Sequence, residues 1–132
     1  VKGQSSMEFL AMISMSMIIL AVLYGLMTSK QVDTFEQRAQ TNAETVATDI
    51  GFNVEMALVQ GEGYSRVLAL PSAISGESYS VNMTNRRTIL EYGDQTVSEP
   101  TRYPRQIYFE VNDSSNEFKV ENVGEEVRIV EQ

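Results

Sequence analysis

The sequence predicts an α+β protein: one long N-terminal α-helix, apolar in its first half and amphipathic in its second, with a C-terminal antiparallel β-sheet head packed on it. Three observations lead there. No charge interrupts residues 9–29, an apolar stripe of helical period runs on to residue 57, and short β-branched and aromatic runs separated by turn residues fill the remainder. The expected boundaries are an apolar helix over 1–30, its amphipathic continuation over 31–62 and a strand-rich head over 63–132. A chain of 132 residues has room for this much and no more, because a compact domain takes roughly 100 to 150 residues.

The first element is fixed by length and composition. About 20 mainly apolar residues span a bilayer core of about 30 Å, and residues 9–29 are 21 residues without a charge. Phe9, Leu10, Met12, Ile13 and nine further large apolar side chains up to Met27 cover every face, leaving no polar stripe. Burying them is worth up to about 20 to 40 kcal/mol, so the segment requires lipid or a bundle of similar helices. A cleaved secretory signal fits poorly, since its apolar core takes only about 7 to 15 residues; a plain single-span anchor fits the length well. Ala21 and Gly25, one turn apart, are small residues on one face, a spacing that lets helix backbones approach closely. The one acid at the head of the run, Glu8, gains about 0.3 to 1 kcal/mol from a helix N-terminus, while a charge bordering a span is costly enough to be retained for a partner.

Past Lys30 the stripe continues through Val32, Phe35, Ala39, Ala43, Val46, Ile50, Val54 and Ala57, close to 3.67 residues per turn. No proline precedes Pro71, and the first strong stop is Gly61-Glu62-Gly63, so the helix is expected over about 4–60. Gly51 lies inside the stripe and is read as a packing glycine rather than a bend. Strands are expected at 64–70, 78–83, 88–92, 106–111, 117–122 and 126–130, divided by turn signals such as Ser75-Gly76, Gly93-Asp94 and Val123-Gly124. A small sheet of this kind, curved or sandwiched over the helix, buries its apolar face on the amphipathic half.

Charge and missing residue types narrow the function. Ten Lys plus Arg against 18 Asp plus Glu give a net charge of -8, which disfavours nucleic acid despite a local basic patch at Arg86-Arg87. The chain has no Cys, His or Trp, which removes the thiolate nucleophile, the commonest general base and the commonest metal ligand. No calcium loop or glycine-rich phosphate loop occurs. An enzyme is therefore not expected, nor a cofactor or metal. Two sequons, Asn82-Met83-Thr84 and Asn112-Asp113-Ser114, are glycosylation candidates if the head is exported, although chance alone supplies about one such match. Asn112 lies in a turn; Asn82 lies in a strand and has to face outward to serve.

The stretch Lys2-Gly3-Gln4-Ser5-Ser6-Met7-Glu8-Phe9-Leu10, followed by the apolar run, resembles the processing and assembly segment of archaeal type IV pilins, which carry class III signal peptides. The resemblance covers about the first 30 residues. It implies cleavage between Gly3 and Gln4 by a prepilin peptidase, which makes Glu8 the fifth mature residue, and polymerisation into a helical surface filament by a pilus assembly machinery. Glu8, Phe9 and Leu10 would then serve assembly, with Glu8 meeting the N-terminal ammonium of an adjacent subunit. Val1, Lys2 and Gly3 precede that cut; a cut ahead of Val1 instead makes Glu8 the eighth residue and removes it from the ammonium's turn. The implied route is a precursor held in membrane lipid and a homo-oligomeric extracellular filament whose heads serve adhesion; Lys2, the only side-chain positive charge before the run, predicts the N-terminus inside and the head outside. The alternative is a monomeric, single-span, membrane-anchored extracellular binding domain. The two differ in whether Glu8 needs a partner.

Overall fold

In a computed structural model of the chain, the described residues are 2–112, 114, 116–124 and 126–132, with the side chain of Lys2 outside the description. Among these residues a single α-helix, α1 (Lys2–Gln60), is followed by seven strands: β1 (Ser65–Ala69), β2 (Tyr79–Thr84), β3 (Arg87–Tyr92), β4 (Gln95–Pro100), β5 (Ile107–Val111), β6 (Glu117–Val123) and β7 (Glu126–Glu131). The fold is α+β, with the helix packed against antiparallel sheets. The chain divides into two compact units, one ending at Arg38 and the other spanning Ala39–Gln132.

The second unit holds the core. Its strands form a three-stranded sheet in the order β1-β6-β7 and a four-stranded sheet in the order β4-β3-β2-β5, antiparallel throughout. Alternation decides which face turns inward: Tyr79, Val81 and Met83 of β2, Thr88, Leu90 and Tyr92 of β3, and Phe118, Val120 and Asn122 of β6 are buried while their neighbours along each strand are not. Against them lie Ala43, Val46, Ala47, Ile50, Val54 and Ala57 of α1, in one cluster with the buried strand residues. Phe109 and Phe118, with ring centroids 4.9 Å apart, join the two sheets. Small residues on the helix face bring its backbone close to the sheet. At Gly51 a β-carbon would lie 3.3 Å from Thr88 Oγ1 and 3.8 Å from Thr101 Cβ, and α1 runs through this position unbroken. Gly51 is thus a packing glycine, as the stripe suggested.

Polar anchors fix the helix within this unit. Asn122 is buried, and its Nδ2 donates to the carbonyl of Ala57 at 2.9 Å, capping one of the orphan acceptors of the last helical turn. The helix stops at Gly61, whose φ of 84° is left-handed and whose amide donates to the same carbonyl at 3.3 Å. Glu55 accepts from the Arg102 amide at 2.6 Å and from Thr101 Oγ1 at 3.2 Å, so one helix carboxylate holds the segment that leaves β4. Tyr103 is buried and donates to the Val127 carbonyl at 3.1 Å.

Two expectations are corrected. Among the described residues seven strands are present where six are expected: β4 escapes the pattern because Gln95-Thr96-Val97-Ser98-Glu99-Pro100 buries a single apolar side chain, Val97, and as an edge strand pairs only with β3. The helical stripe is also buried over a shorter length than its period suggested. Val32 and Phe35 are exposed.

Candidate functional site

The residues singled out in the sequence fall in both units, and the largest group lies on the N-terminal part of α1. From residue 3 to residue 38 no side chain is buried. Met7, Phe9, Leu10, Met12, Met15, Met17, Ile18, Leu20, Leu26 and Met27 each keep more than half their surface accessible. No proline interrupts this stretch, and the good helix formers Ala, Leu, Met, Glu, Gln, Lys and Arg recur along it. By length and composition it can cross a membrane, which is compatible with membrane association, and none of its most apolar window is buried.

The serines and threonines between residues 9 and 29 are turned onto their own backbone. Ser14 donates to the carbonyl of Leu10 and Ser16 to that of Met12, each at 2.9 Å. Thr28 donates to Tyr24 at 3.0 Å and Ser29 to Gly25 at 3.1 Å. A hydroxyl that donates its hydrogen bond to the i-4 carbonyl makes little demand on its surroundings, which suits hydrocarbon or a dry helix interface. The sequence period could not reveal this, although a Ser or Thr inside any apolar helix can make the same bond.

Glu8 is exposed at the head of this segment, next to Phe9 and Leu10. The ion pairs found among the described residues, Arg105–Glu126, Lys119–Glu121 and Arg128–Glu126, all lie in the second unit, and none involves Glu8. Gly3 and Gln4 occupy the same helix and are exposed, while Val1, which bears on where the mature chain starts, lies outside the described residues. Ala21 is exposed and a β-carbon at Gly25 would meet nothing within 4 Å, so the small-residue face is open.

The second unit carries the two sequons, and the structure treats them differently. Asn82 is half-buried on the outward face of β2, with Ile89 and Tyr108 as its register partners, and its Oδ1 is shielded from solvent without a hydrogen-bond partner. Asn112 is exposed just past the end of β5, and its Oδ1 accepts from the Ser114 amide at 2.9 Å. Asp113 lies outside the described residues. The basic pair Arg86-Arg87 is exposed; Arg86 occupies the β2–β3 turn.

Titration adds little chemistry. Burial pushes the Tyr79 phenol up, and its hydroxyl donates to the Pro71 carbonyl at 2.8 Å. The Tyr108 phenol is raised chiefly by the hydrogen bond it donates to Glu110, at 2.7 Å on the exposed face of the sheet. Among the described residues no group of three or more His, Cys, Asp or Glu side chains is placed to hold a metal ion. No family model, curated protein or solved structure matches the chain.

Proposed function

We propose that the chain is a structural subunit of a surface filament resembling archaeal type IV pili, held first in membrane lipid and then polymerised through the N-terminal part of α1. The observation that carries this reading is a helix segment apolar on every side, its serines and threonines between residues 9 and 29 bonded to its own carbonyls, with one exposed carboxylate at its head that forms no ion pair among the described residues. Such a helix is stable only when enclosed, and lipid and copies of itself enclose it equally well. Glu8 is the group that separates assembly from simple anchoring. A charge entering an apolar bundle is tolerable when paired, and an unpaired one costs several kcal/mol. Under this reading the partner is the N-terminal ammonium of the next subunit after a prepilin peptidase has cut between Gly3 and Gln4. The pair would set the register between subunits, and the strand-rich unit would form the outer, adhesive surface. The chain does no catalysis in this scheme and uses no cofactor.

Glu8→Ala tests the reading in cells that make the protein. The expected outcome is a subunit that stays in the membrane at normal abundance while surface filaments are lost. Abundant normal filaments from the variant would contradict the pairing role. A wild-type protein that never leaves the membrane fraction would favour the monomeric anchored binding domain instead.

A further inference from the structure

We propose that the four-stranded sheet carries a plug and a socket for a second copy of the chain: the Arg86-Arg87 hairpin tip of one copy seats between Glu91 and Glu110 of the next. The inference rests on the proposed function for bringing copies together, and it adds a contact between strand-rich units to an assembly otherwise carried by α1.

The strands place opposite charges at opposite ends of one sheet. β2 and β3 meet at the Asn85-Arg86 turn, and β4 runs back to the same end, where Pro100 pairs with Arg87 and the Thr101 amide donates to the Arg86 carbonyl at 2.8 Å. Arg86, Arg87 and Arg102 are exposed there, and none of them forms an ion pair among the described residues. Arg87 Nη1 donates to Ser98 Oγ at 3.2 Å. The acids near this end are engaged or half-buried: Glu55 accepts from the Arg102 amide, and Glu99 is partly covered. Arg105 is paired with Glu126 at 3.8 Å and is left out of the plug. The far end of the same strands bears Glu77, Glu91, Asp94 and Glu110, all exposed and without an ion pair among the described residues. No Lys or Arg occurs at 67–85, 88–101 or 106–118 to neutralise them.

The socket has a shape as well as a charge. Glu91 and Glu110 are both register partners of Ser80 on the central strand, so their backbones stand two strand spacings apart, about 9 to 10 Å. Both line one cleft together with Ser80 and Tyr108. Tyr108 donates to Glu110 Oε1 at 2.7 Å, which holds that carboxylate against the cleft wall, and its ring is 58% exposed as a face for a guanidinium. A planar guanidinium between two carboxylates bonds to both, and charge-assisted bonds of this kind are the stronger class. With a net charge of -8, two copies repel over most of their surfaces. Meeting of the basic end with the acidic end turns that repulsion into attraction at the join. Each copy offers one plug and one socket at opposite ends of the same strands, so the contact repeats from copy to copy without closing.

The test is disulfide cross-linking of the full chain in cells that make it, with Asp94→Cys and Arg102→Cys introduced together. The wild type has no cysteine. Within one chain the two positions flank β4, and a strand of that length spans about 17 Å, too far for an internal bridge. Oxidised membranes and sheared fibres are run separately on non-reducing gels. The expected result is a ladder of dimers, trimers and longer species. It falls about tenfold when Arg86→Glu and Arg87→Glu are added, or when Glu91→Arg and Glu110→Arg are added, and it returns when all four reversals share one chain. A product that stops at the dimer, a ladder that ignores the reversals, or one that their combination does not restore overturns the proposal. Fibres without a ladder overturn it while leaving the proposed function standing. A ladder in membranes of cells that make no fibres upholds the contact and contradicts the filament, and the absence of both ladder and fibres contradicts both.

Discussion

Gly51 and Tyr79 show how single residues in the second unit act through packing and through protonation. The stripe of small and branched residues marked Gly51 as interior, and the structure gives the reason: a β-carbon there would lie 3.3 Å from Thr88 Oγ1. Gly51→Val therefore overpacks the helix–sheet contact and is expected to lower stability by about 1 to 3 kcal/mol, read as a drop in Tm of the detergent-solubilised chain by circular dichroism. Tyr79 bears on alkaline pH. Its folded phenol is raised by burial, whereas the unfolded one ionises near the ordinary value of about 10. The unfolded state thus loses its proton first, so this contribution to stability is complete below about pH 10 and is lost as pH rises toward the folded value. Tyr79→Phe is expected to cost about 1 kcal/mol near neutrality through the lost hydrogen bond to Pro71 and to flatten the fall in stability above pH 10 in a pH series of denaturant melts. Asn122 stands for what the sequence hid. It reads as an ordinary polar residue in a strand, and its role as a cap on the Ala57 carbonyl exists only once β6 lies beside the end of α1.

At the level of elements, legibility followed the strength of the apolar period. The helix ends where the glycines of Gly61-Glu62-Gly63 predict, and six strands lie within one or two residues of the expected bounds, with the inward alternation plainest in β2, β3 and β6. β4 was missed since an edge strand needs little apolar content, and Val97 alone could not announce it. The strand bounds leave a connection at 84–87 between β2 and β3 without showing its conformation. Asn85 and Arg86 both take positive φ, 50° and 61°, and this is the mirror-type hairpin turn whose usual second residue is Gly rather than Arg. A side chain in the left-handed region costs about 1 to 2 kcal/mol. Arg86→Gly is accordingly expected to raise the denaturant midpoint by an amount equivalent to about 1 kcal/mol, net of the extra freedom glycine gives the unfolded chain. An unchanged or lowered midpoint would show that the arginine is held there without strain.

For the molecule as a whole, the division at Arg38 and Ala39 separates two physical problems. The second unit satisfies itself, with both sheets and the helix face closing one core. The first leaves its apolar surface for something else to cover. Its apolar length and the Gly3, Gln4 and Glu8 constellation were plain in the sequence, as was the lack of Cys and His. What covers the helix is a property of many molecules, which one chain's sequence does not encode. The proposed answer is lipid first and other copies afterwards. The most direct measurement is intact-mass spectrometry with N-terminal peptide mapping on fibres sheared from cells that make the protein, alongside the membrane fraction. The account predicts that sheared fibres contain this chain as a principal component and that its mature form begins at Gln4. A protein confined to membranes, with residues 1–3 still attached and absent from every sheared fibre, would contradict it.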